Sequence, residues 1–358
     1  MKRCFGSCLV ALTMLSASPL VAQRAVPDIP FDVSTPLKLP ANIYMGEPSG
    51  VATNSKGHIF VYTKNASIDV STGTTQPFIR GGARLLEFDR NGNFVREIGQ
   101  GLYGFVFGER VRIDSEDNIW AVDGGSHQVI KFNPEGQVVM VFGRNPGVLP
   151  PGPPPPPAPG DPVPFEGRGD GAGVLGDSFD RPSDVGFDGA GNVYVADGHG
   201  GHTNARIAKF DKDGRFIRTW GNRGDKPGQL LVPHAMAVDV KGNVYVADRP
   251  NKRVSVFDTD GNFKAQWLNF GDPLAICITP GPHQYLYISN SNSPLNYDGG
   301  EIYKVELNGT IVGKFGKAGT GPKDFTEVHT VDCQTENEVY LGQGVNWRVT
   351  KVTLRPGK

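Results

Sequence analysis

Three residues at matching places in a repeating sequence hold the chemical interest of this chain: Glu109, His234 and His329. Each is the second residue of a short lead-in: Gly108-Glu109-Arg110-Val111, Pro233-His234-Ala235-Met236 and Val328-His329-Thr330-Val331. Two imidazoles and a carboxylate meeting at one point make a ligand set for zinc with a position left open, and they suit non-haem iron(II) as well. An ion held that way acidifies a bound water and polarises a carbonyl or carbinol oxygen. The bland alternative is that both histidines only hydrogen-bond around a water-filled channel. Either way, residues more than a hundred positions apart meet only if the repeats are arranged around an axis.

The repeats are of a kind that does this. Gly191-Asn192-Val193-Tyr194-Val195-Ala196-Asp197 returns as Gly242-Asn243-Val244-Tyr245-Val246-Ala247-Asp248, with similar flanks over residues 179–267. Graded versions begin at Gly57, Asp117, Gln284 and Asn337, which makes six units. Each unit reads as four short strands of β-branched and aromatic residues, split by turns such as Asp-x-x-Gly. A period of about fifty residues with four strands per unit is that of a propeller blade. The chain is therefore expected to be all-β, a six-bladed β-propeller. Its last unit stops one strand short after Val352, and residues 31–44 can supply the missing outer strand, closing the ring and removing an open edge. Units two, four and six are then related by a roughly threefold rotation, which brings Glu109, His234 and His329 together. The same slots in the other units hold Ser49, Ser183 and Leu274, which make no rival site.

Composition agrees: 358 residues with 48 Gly and 29 Pro suit a turn-rich β protein, and a net charge of −1 gives no pull toward nucleic acid or an anionic membrane. Residues 1–22 read as a secretory signal: Lys2-Arg3, an apolar stretch too short to span a bilayer, then small residues ending at Ala22. A secreted or periplasmic chain of residues 23–358 is expected, with no transmembrane segment. Cys277 and Cys333 remain in it, placed on opposite strand faces and expected as buried thiols; an oxidising compartment permits a disulfide but does not indicate one. Two insertions interrupt the period, residues 65–82 in the first blade and a Pro/Gly-rich stretch at about 145–177, read as a surface loop.

At Val195-Ala196-Asp197, Asn204-Ala205-Arg206-Ile207, Pro233-His234 and Val246-Ala247-Asp248-Arg249 the chain resembles the NHL-repeat family. Within it, the likeness is to the peptidyl-α-hydroxyglycine α-amidating lyases and their bacterial relatives. That resemblance implies a zinc held in the central channel by three histidines, of which His234 and His329 are present and Glu109 stands in the third place. The family's catalytic Arg falls on Lys64 and its catalytic Tyr on His199. The Met before the last metal histidine becomes Glu327. Calcium, which the family holds for structure, is also implied, although its acidic ligand is Thr330 here.

On its own chemistry, Lys64 can neutralise a substrate carboxylate, and His199 can act as acid or base near neutral pH. Both are expected near the channel mouth; either can instead be an exposed loop residue, and His202 can share the role of His199. Asp123, Asp197 and Asp248 recur after the second strand of their units and read as turn caps paired with Arg206 and Arg253, with calcium binding as the alternative. The positions of Trp120, Trp220, Trp267 and Trp347 read as packing. The function expected is that of a metal-dependent lyase of amidating-lyase type, acting on a small or peptide-derived substrate at the channel mouth. The alternative is a non-catalytic module that binds a peptide, glycan or protein partner. A lactonase-type hydrolase, built on carboxylates and Asn, fits the inward histidines less well.

Overall fold

The computed structural model describes residues 25–64, 69–71, 77–79, 82–143, 178–200, 204–291 and 299–355. The expected signal segment, the insertion at 145–177 and His202 lie outside these residues. Six four-stranded antiparallel sheets follow one another along the chain, each with its first strand innermost. The innermost strands are Glu47–Thr53, Gly108–Ile113, Pro182–Phe187, Pro233–Val238, Pro273–Ile278 and Val328–Asp332. Each touches the innermost strand of the next blade, so the six enclose an axis. Among the described residues the one helical element is a short 3-10 turn, Arg249–Asn251.

The recurring turn explains why the strands start and stop where they do. In blade three the Asp188 carboxylate accepts the backbone N–H of Ala190 and Asn192, the Asn192 amide and the Tyr194 hydroxyl. Asp239 does the same in blade four for Lys241, Asn243 and Tyr245. The glycine in each turn, Gly191 and Gly242, sits at φ 81° and 83°, a conformation that favours Gly. The expected Asp–Arg pairs are also present, Asp197 to Arg206 at 2.8 Å and Asp248 to Arg253 at 3.0 Å. Asp123 instead accepts the backbone N–H groups of Val106, Phe107, Gly125 and Ser126 and the Tyr62 hydroxyl.

Ring closure works as expected, over a shorter span. Phe31–Ser34 pairs with Arg348–Leu354 as the outer strand of blade six, Phe31 opposite Leu354 and Ser34 opposite Lys351. The residues on either side bridge to Lys314 of blade five and Asn93 of blade one, so the segment ties three blades together. The core lies between blades: Trp120, Phe142, Val185 and Phe210, for example, fill the space between blades two and three. Each such side chain contributes about 1.5–3 kcal/mol by leaving water.

Two expectations are corrected. Cys277 and Cys333 form a disulfide joining blades five and six. Blades stack face to face, so the side of blade five that looks toward blade six meets the opposite side of blade six. Residues on opposite strand faces of neighbouring blades are therefore the ones that touch. Trp347 is not a packing residue but is 64% exposed, in a turn at φ 46°. In the first-blade insertion, Asp69–Ser71 pairs with Pro77–Ile79 as a small ribbon.

Candidate functional site

The side chains that meet on the axis are placed there by one backbone device repeated around the ring. In every blade the pairing of the first two strands slips near its start. Ser49, Glu109, Ser183, His234 and His329 are each bulged out at that slip, and in blade five Leu274 and Ala275 are. A bulge re-aims the side chain it carries. In blades one and three the bulged hydroxyls turn back onto backbone, Ser49 onto the Tyr62 carbonyl and Ser183 onto those of Ala196 and Pro233. In blades two, four and six the bulge delivers Glu109, His234 and His329, all buried, to one cluster.

Within that cluster the tautomers follow from the partners. His234 Nδ1 lies 2.7 Å from the Leu274 carbonyl and His329 Nδ1 lies 3.0 Å from the Ser49 carbonyl. A carbonyl only accepts, so each Nδ1 carries the proton and each Nε2 presents a lone pair. Burial, with further contributions from neighbouring cationic groups, holds both imidazoles well below the usual histidine pKa. Burial also works to raise the pKa of Glu109, but the facing His199 and Lys64 outweigh it and bring it to about 2. Glu109 is thus a carboxylate.

The consequence is an unusual contact. His329 Nε2 and Glu109 Oε2 face each other at 3.7 Å. Both are buried, neither has a hydrogen-bond partner, and neither carries a proton to share. Two bare acceptors turned toward each other are costly unless a cation lies between them. Ligands on one zinc ion, with bonds of about 2.0–2.2 Å in a tetrahedron, are about 3.3–3.6 Å apart. Among the described residues, no three His, Cys, Asp or Glu side chains are gathered closely enough to form a full ligand set.

Lys64 and His199 reach further in than the expected place at the mouth. His199 Nδ1 donates to Glu109 Oε1 at 2.7 Å, and its ring stands 4.6 Å from that of His234. Lys64 Nζ is 3.8 Å from Glu109 Oε2 and lies over the Phe107 ring. A cavity of about 360 Å³ opens beside His199 and His234, lined also by Arg249, Lys252 and Asp272 among others. Arg249 was not singled out from the sequence, although it directly follows the Asp248 of a repeat motif.

A second level of charge lies along the same inner strand of blade two, and the sequence reading missed it. Arg110 is fully buried, with its guanidinium among the carbonyls of Ser49, His234 and His329. Arg112 forks onto Asp184 at 3.0 and 2.6 Å and reaches the carbonyls of Met236 and Ile276. A signal existed: the residue after the slot that holds Glu109, His234 and His329 is Arg110 in blade two and Asp184 in blade three, where the other blades carry Gly50, Ala235, Ala275 and Thr330.

The family model for the NHL repeat matches residues 230–257, the stretch that carries His234 and Arg249. A Caenorhabditis elegans protein named as a probable peptidyl-alpha-hydroxyglycine alpha-amidating lyase is 27% identical over 218 residues, 58% of this chain and 54% of its own. The peptidyl-glycine alpha-amidating monooxygenase of Mus musculus is 28% identical over 240 residues, 62% of this chain and 22% of its own. This chain is a six-bladed propeller that carries an NHL repeat at residues 230–257 and resembles the amidating lyases. NHL repeat-containing protein 3 of Mus musculus is 34% identical over 140 residues, 38% of this chain and 34% of its own. The propeller thus spans about half or less of the length of these relatives. Among solved structures, a streptogramin B lyase superposes with a TM-score of 0.54 at 13% identity, covering 91% of this chain and 98% of that one. Virginiamycin B lyase from Staphylococcus aureus gives the same score at 11% identity, covering 91% and 100%. At such identities the likeness establishes the fold.

Proposed function

We propose that this propeller is a secreted or periplasmic metal-dependent lyase of the amidating type, working on a small or peptide-derived substrate that enters from the channel mouth. The observation that carries this reading is the pair of buried, partnerless acceptors on Glu109 and His329. They would hold a divalent ion, zinc first and iron(II) second, with His234 turning to supply a third donor. Such an ion, when bound, polarises a substrate hydroxyl or carbonyl oxygen. Calcium fits poorly, because the donors are imidazoles and a single carboxylate rather than a set of oxygens.

The remaining roles belong to the chain's own groups. Lys64 and Arg249 stand at the site and its cavity, where they would neutralise a carboxylate on the substrate. Glu109 fixes the His199 ring through Nδ1, which leaves Nε2 as the nitrogen that exchanges protons. For an α-hydroxyglycine unit, Nε2 takes the hydroxyl proton as the carbon–oxygen double bond forms and the carbon–nitrogen bond breaks. The same proton then returns to the departing amide nitrogen, so the step needs no oxidant and no water.

The test is release of glyoxylate and benzamide from α-hydroxyhippurate by protein purified without a histidine tag and supplied with zinc. Wild type is expected to turn over, and His199→Ala to lose about 100- to 10,000-fold in kcat. A wild type inactive with zinc, iron(II) and manganese alike would leave the propeller as a binding module.

A further inference from the structure

We propose that Arg110 is the positioning residue of this site: its guanidinium is a built-in cation on the ring axis that draws in the backbone of three bulges and so aims both imidazoles. The contacts are specific. One guanidinium nitrogen, Nη1, donates to the carbonyl of His329 and lies 3.5 Å from that of Ser49; the other, Nη2, lies 3.4 Å from the carbonyl of His234. These are the bulged residues of blades one, four and six, and two of them carry the histidines themselves.

The Ser49 carbonyl links the clamp directly to the chemistry. It receives the Nδ1–H of His329 at 3.0 Å as well as facing Arg110 Nη1. One oxygen therefore sets the tautomer and tilt of His329 while the guanidinium holds that oxygen in place. Loss of a group that orients a ligating imidazole in this way typically costs about 10- to 100-fold in metal affinity. Asp184 stands behind the guanidinium, 3.7 Å from Arg110 Nε, and is itself held by the Arg112 fork and by the Met236 N–H. Arg rather than Lys suits this place, since a planar fork serves carbonyls in several directions at once.

The same geometry bears on calcium. The sequence resemblance puts the missing calcium ligand at Thr330, immediately after a carbonyl that Arg110 already occupies. Thr330 Oγ1 instead accepts the Val51 N–H. A protein-borne cation stands where carbonyls from three blades converge, and these residues do not fit an additional ion there.

The inference holds whether or not the lyase reading does. Cobalt(II), followed by its visible absorption, is titrated into metal-stripped wild type, Arg110→Met and Arg110→Lys. Hydrogen exchange is followed in parallel by mass spectrometry over residues 47–53, 233–238 and 328–332. Arg110→Met is expected to weaken cobalt about 10- to 100-fold. Exchange in those three segments should quicken about tenfold while the outer strands keep wild-type rates. Arg110→Lys, with the charge but not the fork, should fall between the two. If Arg110→Met does not fold, Arg110→Lys alone decides. Wild-type exchange in the three segments, uniform acceleration in every blade, or protection of the wild-type segments by added calcium would each overturn the proposal. Failure of wild type to bind cobalt would count against the metal reading instead, and the exchange result would still judge Arg110.

Discussion

The axis of this propeller has two levels built from the same six strands, and they differ in whether their facing acceptors find hydrogen-bond donors. At the level of the arginines, Arg112 is forked onto Asp184, Arg110 lies among carbonyls with Asp184 behind it, and Asp332 accepts the Thr53 hydroxyl at 2.7 Å. At the level of the bulges, Glu109 Oε2 and His329 Nε2 are buried without a hydrogen-bond partner, and the ammonium of Lys64 stands off at 3.8 Å from Glu109 Oε2. A chain can leave acceptors bare in one place only if the surroundings are held firmly enough to keep them so. The first level would be the frame, and the second the place where the proposed ion binds.

That division is open to test. Asp184→Ala strips the counter-charge from the buried Arg110 and the partly buried Arg112 and is expected to destabilise the protein by about 3–5 kcal/mol, read as a lower urea midpoint. If the loss is no greater than that of an ordinary surface substitution, the arginine level is not the frame.

A smaller effect is expected from Asp332, whose pKa burial raises to about 6 despite the Thr53 hydrogen bond and the nearby Arg112. Its folded-state value exceeds the unfolded one, so its stabilising contribution is complete below about pH 4 and disappears as pH rises toward 6. The loss amounts to about 3 kcal/mol. Asp332→Asn, neutral at every pH, should therefore gain on wild type in urea unfolding between pH 4 and 6.5. A constant difference across that range would show that Asp332 titrates normally.

How much of this was legible in the sequence depends on what each feature rests on. The blades were readable because a strand pair with a tight turn is a local object, and Val193-Tyr194-Val195-Ala196-Asp197 announces one wherever it recurs. That Glu109, His234 and His329 lie near one another was readable because rotation turns equal slots into neighbours, but among the described residues they do not close into a full ligand set. Arg110 and Arg112 were not read, since a charged residue on a strand passes for a solvent-facing one until its neighbours around the ring are aligned with it. The disulfide was missed for a geometric reason, because strand face was judged within a blade and the bond forms between blades. The inward reach of His199 comes from a loop after the second strand of blade three, where no periodicity fixes direction.

Elemental analysis of tag-free protein, after supply of zinc and removal of the excess, bears most directly on the bare pair of acceptors. Wild type and Ser183→Ala, altered at the bulge of an odd-numbered blade, should each retain one zinc per chain, while Glu109→Gln and His329→Ala should retain none. A wild type that holds no zinc, iron(II) or manganese, or a Glu109→Gln variant that keeps its ion, would contradict the account.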